Sequence, residues 1–172
     1  VPKERWDIDS HYDPDPDIAG KMYIKQGGFI GDVSQFDADF FHISPKEAEL
    51  LDPQQRLLLE TSYAAFEHGG IDPLSLKGSL TGVFLGLCTT DYMSLIQRQS
   101  QATDLSIYQP TGNAMSTAAG RLSYFFGLEG PSMIVDTACS SSLVSLHVAS
   151  QSLRQGECDI AIAGGVNIML DP

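Results

Sequence analysis

Three cysteines (Cys88, Cys139, Cys158) and four histidines (His11, His42, His68, His147) are the side chains most suited to nucleophilic or acid–base chemistry in this sequence. Cys139 stands apart by what surrounds it. Ser132-Met133-Ile134-Val135-Asp136-Thr137 reads as a buried strand and runs directly into Ala138-Cys139-Ser140-Ser141-Ser142. Leu143, Leu146, Val148, Ala149 and Leu153 then return at helical spacing as far as Gly156. A cysteine at a strand-to-helix turn sits where free backbone N–H groups and the helix dipole favour an anion. The thiolate is the form that attacks, and the same N–H groups can steady the oxyanion formed when a thioester is attacked. The small neighbours Ala138 and Ser140 to Ser142 leave room for a substrate. The competing reading of position alone is a small buried hydrophobe, which is what most cysteines are. Cys88 and Cys158 lack such surroundings and read as core or near-surface thiols.

No local partner presents itself as a base. His147 lies eight residues along the expected helix from Cys139, about 12 Å along its axis and about 80° around it, which rules out a direct dyad. It reads as a helix-face residue, His11 and His42 as loop residues, and His68 as the last turn of a helix, where a cation suits the dipole.

The elements that must hold Cys139 are legible in outline. Trp6 to Gly31 mixes Asp-Pro pairs with Gly27-Gly28, which predicts turns and extended chain, with Asp7, Asp9, Asp13, Asp15 and Asp17 on a solvated loop. Ser44-Pro45-Lys46-Glu47 is a capping box with proline at the first helical position, and Asp52-Pro53-Gln54-Gln55 repeats the device. The second helix is expected to pack through Leu57, Leu58, Thr61, Ala64 and Ala65 and to stop at Gly69 in a left-handed conformation. Gly82 to Leu87 reads as a short buried strand, Asn113 to Phe126 as one small-residue helix ending at Gly127, and Asp159 to Met169 as a strand broken by Gly164-Gly165. Strands alternating with helices of this length predict an α/β sheet.

Composition narrows the classes of function. The 172 residues are 42% apolar and 19% charged, so a packed core is expected. A net charge of −12, with 10 Lys and Arg thinly spread, argues against nucleic acid. The cysteines have neither metal-ligand spacing nor an even count for a disulfide framework, which fits a reducing cytoplasm and no metal. No apolar stretch approaches the roughly 20 residues of a membrane span, and Val1 to Arg5 lack the apolar core of a signal peptide.

Asp136-Thr137-Ala138-Cys139-Ser140-Ser141-Ser142-Leu143 resembles, residue for residue, the active-site signature of β-ketoacyl synthases, above all those of type I polyketide synthases. Asp52 to Glu60, Gly31 to Phe41, Ala119 to Tyr124 and Ala163 to Asn167 resemble the same family in the same order, so the likeness covers essentially the whole chain. It implies a thiolase-like, layered α-β-α-β-α fold, and a homodimer within a multidomain synthase. Only part of one ketosynthase domain would lie in residues 1–172, the N-terminal half, with the family's first strand and C-terminal half outside it.

The activity implied is acyl transfer from the phosphopantetheine arm of an acyl carrier protein to Cys139. Decarboxylative Claisen condensation with a malonyl-type extender on a second carrier follows. No metal or dissociable cofactor is implied; the phosphopantetheine belongs to the carrier. Asn113 and Met115 resemble positions near the acyl pocket and dimer interface, while Arg56 and Arg121 read as partners in structural ion pairs. Two family histidines that assist decarboxylation have no counterpart here, so this stretch alone is not expected to condense substrates, and an open sheet is expected to need the rest of the domain. The alternatives are a fatty-acid ketosynthase, a non-catalytic ketosynthase-like dimerisation module, and an unrelated cysteine hydrolase.

Overall fold

A computed structural model describes residues 1–99 and 107–172. Among these, seven helices precede or separate three strands: α1 (Ile8–His11), α2 (Pro45–Leu50), α3 (Pro53–His68), β1 (Thr81–Gly86), α4 (Asp91–Gln99), α5 (Tyr108–Asn113), α6 (Met115–Phe126), β2 (Ser132–Val135), α7 (Ser141–Gln155) and β3 (Ile160–Gly165). The strands form one parallel sheet in the order β2-β1-β3, with Leu85 opposite both Ile134 and Gly164.

β1 is buried throughout, as an uncharged, β-favouring run must be when both faces of a parallel sheet are covered. Successive side chains point to opposite faces and thereby assign the layers. Val83 and Leu85 join Leu58, Leu59 and Phe66 of α3 and Ala118, Leu122 and Phe126 of α6 in the main core. Phe84 points the other way, onto Ala149 of α7, with Cys158 beside it. The result is a sheet between two helical layers, as expected for the α/β class.

The helix starts agree with the sequence reading and the details refine it. Ser44 Oγ accepts from the Glu47 N–H at 3.2 Å, yet the Glu47 carboxylate turns away to Arg121 at 2.7 Å and leaves the capping box half made. Asp52 Oδ1 accepts from the Gln54 N–H at 2.8 Å, not from Gln55. At the far end of α3, Gly69 stays right-handed and Gly70 takes the positive φ of 71°, one residue later than expected. The segment from Trp6 to Gly31 is irregular apart from α1, whose last residue is His11, and an isolated Tyr12–Met22 bridge.

Four expectations are corrected. The helix from Asn113 to Phe126 is two helices, because Ala114 is extended at φ −65°, ψ 126°. The carbonyls of Gly112 and Ala114 at this break are taken up by Gln55 Nε2, at 3.0 and 3.3 Å, which makes the break cheap. The packing face of α3 consists of Gln55, Leu58, Leu59, Ser62 and Phe66, whereas Thr61, Ala64 and Ala65 are exposed. β2 is half-exposed, not buried, because it is an edge of the described sheet. β3 runs through Gly164 and ends at Gly165, short of Met169.

Candidate active site

All three strands are parallel, so their C-terminal ends lie on one side of the sheet, the side where open α/β folds place ligands. A cleft of 390 Å³ opens there. Gly86, Leu87 and Cys88 line it from the end of β1, Ala138 to Ser142 contribute four residues from the turn after β2, and Gly165, Val166 and Asn167 come from the end of β3. Cys139 is exposed to it.

The turn that carries Cys139 is strained and then stapled. Ala138 adopts φ 53°, a left-handed conformation costing an alanine roughly 1–2 kcal/mol, and strain of this kind concentrates at functional sites. A single 3₁₀ turn over Ala138–Ser140 leads into α7. Each serine of the signature has its own task. Ser140 Oγ donates to the Thr137 carbonyl at 2.8 Å. Ser141 Oγ accepts from the Thr137 N–H at 2.9 Å and donates to the Ala138 carbonyl at 2.7 Å. Ser142 packs over Gly165, where a Cβ would lie 2.8 Å from its own.

Two of the turn's N–H groups, those just before Cys139, are already engaged. The Thr137 N–H is held by Ser141, and the Ala138 N–H donates to Asp136 Oδ1 at 3.0 Å. These two bonds fix the turn and are not open to an oxyanion. α7 reaches this depth because Gly86 lacks a side chain, since a Cβ there would stand 2.7 Å from the backbone of Ser141 and Ser142. Cysteine, cleft and helix start are thus brought together by glycines on two neighbouring strands.

The family model for the "Beta-ketoacyl synthase, N-terminal domain" matches residues 1–172. The chain belongs to the β-ketoacyl synthase family. It is 58% identical over 169 residues to polyketide synthase GfsA of Streptomyces halstedii, covering 97% of this chain and 2% of that protein. It is 56% identical over 172 residues to the pikromycin polyketide synthase component PikAII of Streptomyces venezuelae, covering 99% and 4%. Among solved structures, the oxazolomycin ketosynthase domain OzmH KS7 superposes with a TM-score of 0.87 at 41% identity over 100% of this chain and 30% of that one. The ketosynthase from module 6 of the bacillaene synthase of Bacillus subtilis 168 gives 0.84 at 40% identity, over 100% and 27%. The chain therefore spans less than a third of those ketosynthases and a few per cent of the curated synthases, and its fold is the corresponding part of the thiolase-like ketosynthase fold.

The other residues singled out in this ketosynthase sequence fall in different places. Asn113 is buried at the end of α5, where Nδ2 donates to the carbonyls of Leu50 and Gln109, both at 2.8 Å. Met115 packs against the main core. Neither lines the Cys139 cleft. Arg121 makes the expected ion pair with Glu47 and also donates to Gln55 Oε1 at 3.1 Å. Arg56 does not: among the described residues its guanidinium donates to the carbonyls of Leu51 (2.8 Å) and Ser34 and to the Tyr92 hydroxyl.

Two cleft residues escaped sequence reasoning. Cys88, a thiol without a role by sequence alone, faces the same cleft as Cys139, and Asn167 does so from the opposite wall. The available signal was position: each follows the end of a strand parallel to the one that delivers Cys139. No histidine lines the cleft, and His147 is exposed along α7 beside Gln151. Among the described residues no group of three or more His, Cys, Asp or Glu could hold a metal ion, and no helix is long and apolar enough to cross a membrane.

Proposed function

We propose that this chain is the acyl-accepting part of a polyketide ketosynthase, an N-terminal portion of one domain in a larger synthase, with Cys139 as its nucleophile. The observation that carries the reading is the placement of Cys139: exposed, on a strained and doubly stapled turn, at the C-terminal edge of a parallel sheet. The Cys139 thiolate attacks the thioester carbonyl of an acyl group on a carrier protein's phosphopantetheine. The carbon–sulfur bond to pantetheine breaks, and the released pantetheine thiolate takes up a proton. Condensation then requires a malonyl-type extender, whose loss of CO₂ leaves a carbanion that attacks the Cys139 thioester and frees the thiolate. Groups that assist decarboxylation are contributed from outside these 172 residues.

Acyl carrier protein and further synthase domains are the partners implied, and phosphopantetheine arrives with the carrier. A homodimer is supported by β2, an edge strand with Ser132 and Met133 exposed and its outer side unpaired within the described sheet. Asn113 and Met115 remain acyl-pocket positions by family resemblance alone, since neither lines the cleft within this chain. Free thiols at the site suit a reducing cytoplasm.

Intact-protein mass spectrometry of the complete domain, with an acyl-pantetheine thioester and with Cys139→Ala as control, tests the reading. An acyl mass increment on the wild type alone is expected, followed by its discharge when malonyl carrier protein is added. Absence of acylation with several acyl groups would overturn the assignment and favour a non-catalytic, ketosynthase-shaped module. Hydrolysis to free acid without an extender would favour a thioesterase.

A further inference from the structure

The two long walls of the cleft leave regular structure as soon as they leave the sheet, at residues 87–90 after β1 and 166–172 after β3. At the sheet edge they are joined by the Val166 N–H donating to the Gly86 carbonyl at 3.0 Å. Further out, the link passes through a residue of neither wall. Gln54, in the first turn of α3 and 2% exposed, reaches between them. Its Oε1 accepts the Ile168 N–H at 3.3 Å, and its Nε2 donates to the Thr89 carbonyl at 3.0 Å and to Asp52 Oδ2 at 3.3 Å. The Thr89 hydroxyl lies 3.2 Å from Gln54 Oε1 and 3.1 Å from Oδ1 of Asn167, a cleft-lining residue, so its one proton serves either acceptor.

Both N–H bonds of the Gln54 amide and at least one acceptor site of its oxygen are thereby engaged, in a buried position where an unpaired polar group is costly. A helical first turn would be capped equally well by Asp52 with an apolar residue at position 54, and N-capping does not explain why an amide of this length crosses to two loops. We propose that Gln54 is a positioning residue that fixes the separation of the two cleft walls, and with it the space open to the acyl chain on Cys139. Thr89 relays the tie to Asn167. The catalytic consequence rests on Cys139 being the acyl acceptor; the tie does not.

The test uses the complete ketosynthase domain with Gln54→Met, which keeps the length and removes every hydrogen bond, and Gln54→Glu, whose protonated form keeps an acceptor and one donor. Thr89→Val, at a half-exposed position, removes only the hydroxyl relay to Asn167, since the Thr89 carbonyl still accepts from Gln54 Nε2, and so tests the relay apart from the tie. Alkylation of Cys139 by iodoacetamide and by N-(1-pyrenyl)maleimide is followed by peptide mass spectrometry, beside acyl transfer from short and long acyl-pantetheines. With the tie cut, iodoacetamide is expected to react within about twofold of wild type, whereas the bulky maleimide gains about tenfold as the walls part. KM for long acyl groups rises about tenfold with kcat little changed, because binding and not chemistry is affected. Gln54→Glu should recover part of both. An unchanged ratio of the two alkylation rates in folded Gln54→Met, or in Gln54→Leu where the methionine variant folds poorly, overturns the proposal. If the wild type accepts no acyl group, the reading of function falls while the alkylation ratio still decides the tie.

Discussion

α3 and α7 flank the same sheet from opposite sides, and each buries residues that a hydrophobicity scale would put outside. α3 buries Gln54, Gln55 and Arg56 in its first turns. α7 buries Ser141, Ser145, Ala149 and Ser152 and leaves Leu143, Leu146 and Leu153 at 71%, 55% and 41% exposure. The causes differ. α7 starts so close to Gly86 and Gly165 that only small side chains fit beneath its first turn, and further along Ala149 and Ser152 lie on Phe84 and Cys158, whereas α3 meets loop ends whose carbonyls and N–H groups need partners, and long amides supply them. Near the cleft, side chains are selected by volume on one face of the sheet and by hydrogen-bond capacity on the other.

If volume rules the α7 side, the largest effect should come from filling the space beneath it. Gly86→Val is expected to cost about 3 kcal/mol or more, because its Cβ meets the α7 backbone, which cannot swing away as a side chain can. Gly120→Ala is the control: Gly120 is exposed in α6 with nothing within 4 Å of a Cβ, and the change should stabilise by about 0.5–1 kcal/mol. Denaturant melts of the complete domain read both, and equal costs would show that depth of packing is not what glycine provides at position 86.

If hydrogen bonding rules the α3 side, Gln55→Leu should be the next most damaging change despite its added hydrophobicity. Gln55 is 2% exposed, donates to the carbonyls of Gly112 and Ala114, and accepts from Arg121 at the α5–α6 break. Loss of its amide strands those groups at about 1–3 kcal/mol. Hydrogen exchange localised to residues 112–117 should accelerate; a variant as stable as wild type would reduce the amide to a space filler.

Which of this was legible in the sequence follows from range. The Cys139 turn, the caps at Ser44 and Asp52 and the central strand are set by neighbours along the chain, and each was read correctly within a residue or two. The serine face of α7 was not, because what it packs on lies before and after it in sequence: Gly86 and Gly165 under its first turn, Phe84 and Cys158 further along. The interruption at Ala114 was missed for the same reason: the amide that satisfies it belongs to Gln55. Cys88 and Asn167 enter the cleft only once β1 and β3 are known to flank each other in parallel.

The same side of the molecule holds a pH-dependent element. Burial pushes the Asp52 carboxyl above its ordinary 3.8; the Gln54 hydrogen bonds and Arg56 oppose that rise and Asp91 adds to it. The folded chain then binds this proton more tightly than the unfolded chain. The contribution is complete below pH 3.8 and is lost as pH rises through the higher folded value. Asp52→Asn keeps a capping oxygen and cannot titrate, so its stability relative to wild type should rise as pH is raised from below 3.8 through the higher folded value. Parallel profiles from urea melts would contradict the burial term.

The smallest effect on stability is expected on the outer face of α7. Leu146→Gln removes an apolar side chain that is already more than half in water, so the folded state should lose no more than about 0.5 kcal/mol. Its consequence lies elsewhere. Leu143, Leu146 and Leu153 give the 172-residue chain an apolar stripe, and the unpaired edge of β2 offers a second adhesive surface. Light scattering at matched concentration should therefore fall for Leu146→Gln, and further for Leu143→Gln with it, while the far-ultraviolet spectrum stays unchanged. A leucine whose removal unfolds the chain would instead be packed on this face, and the contrast between the two helices would reduce to one of degree.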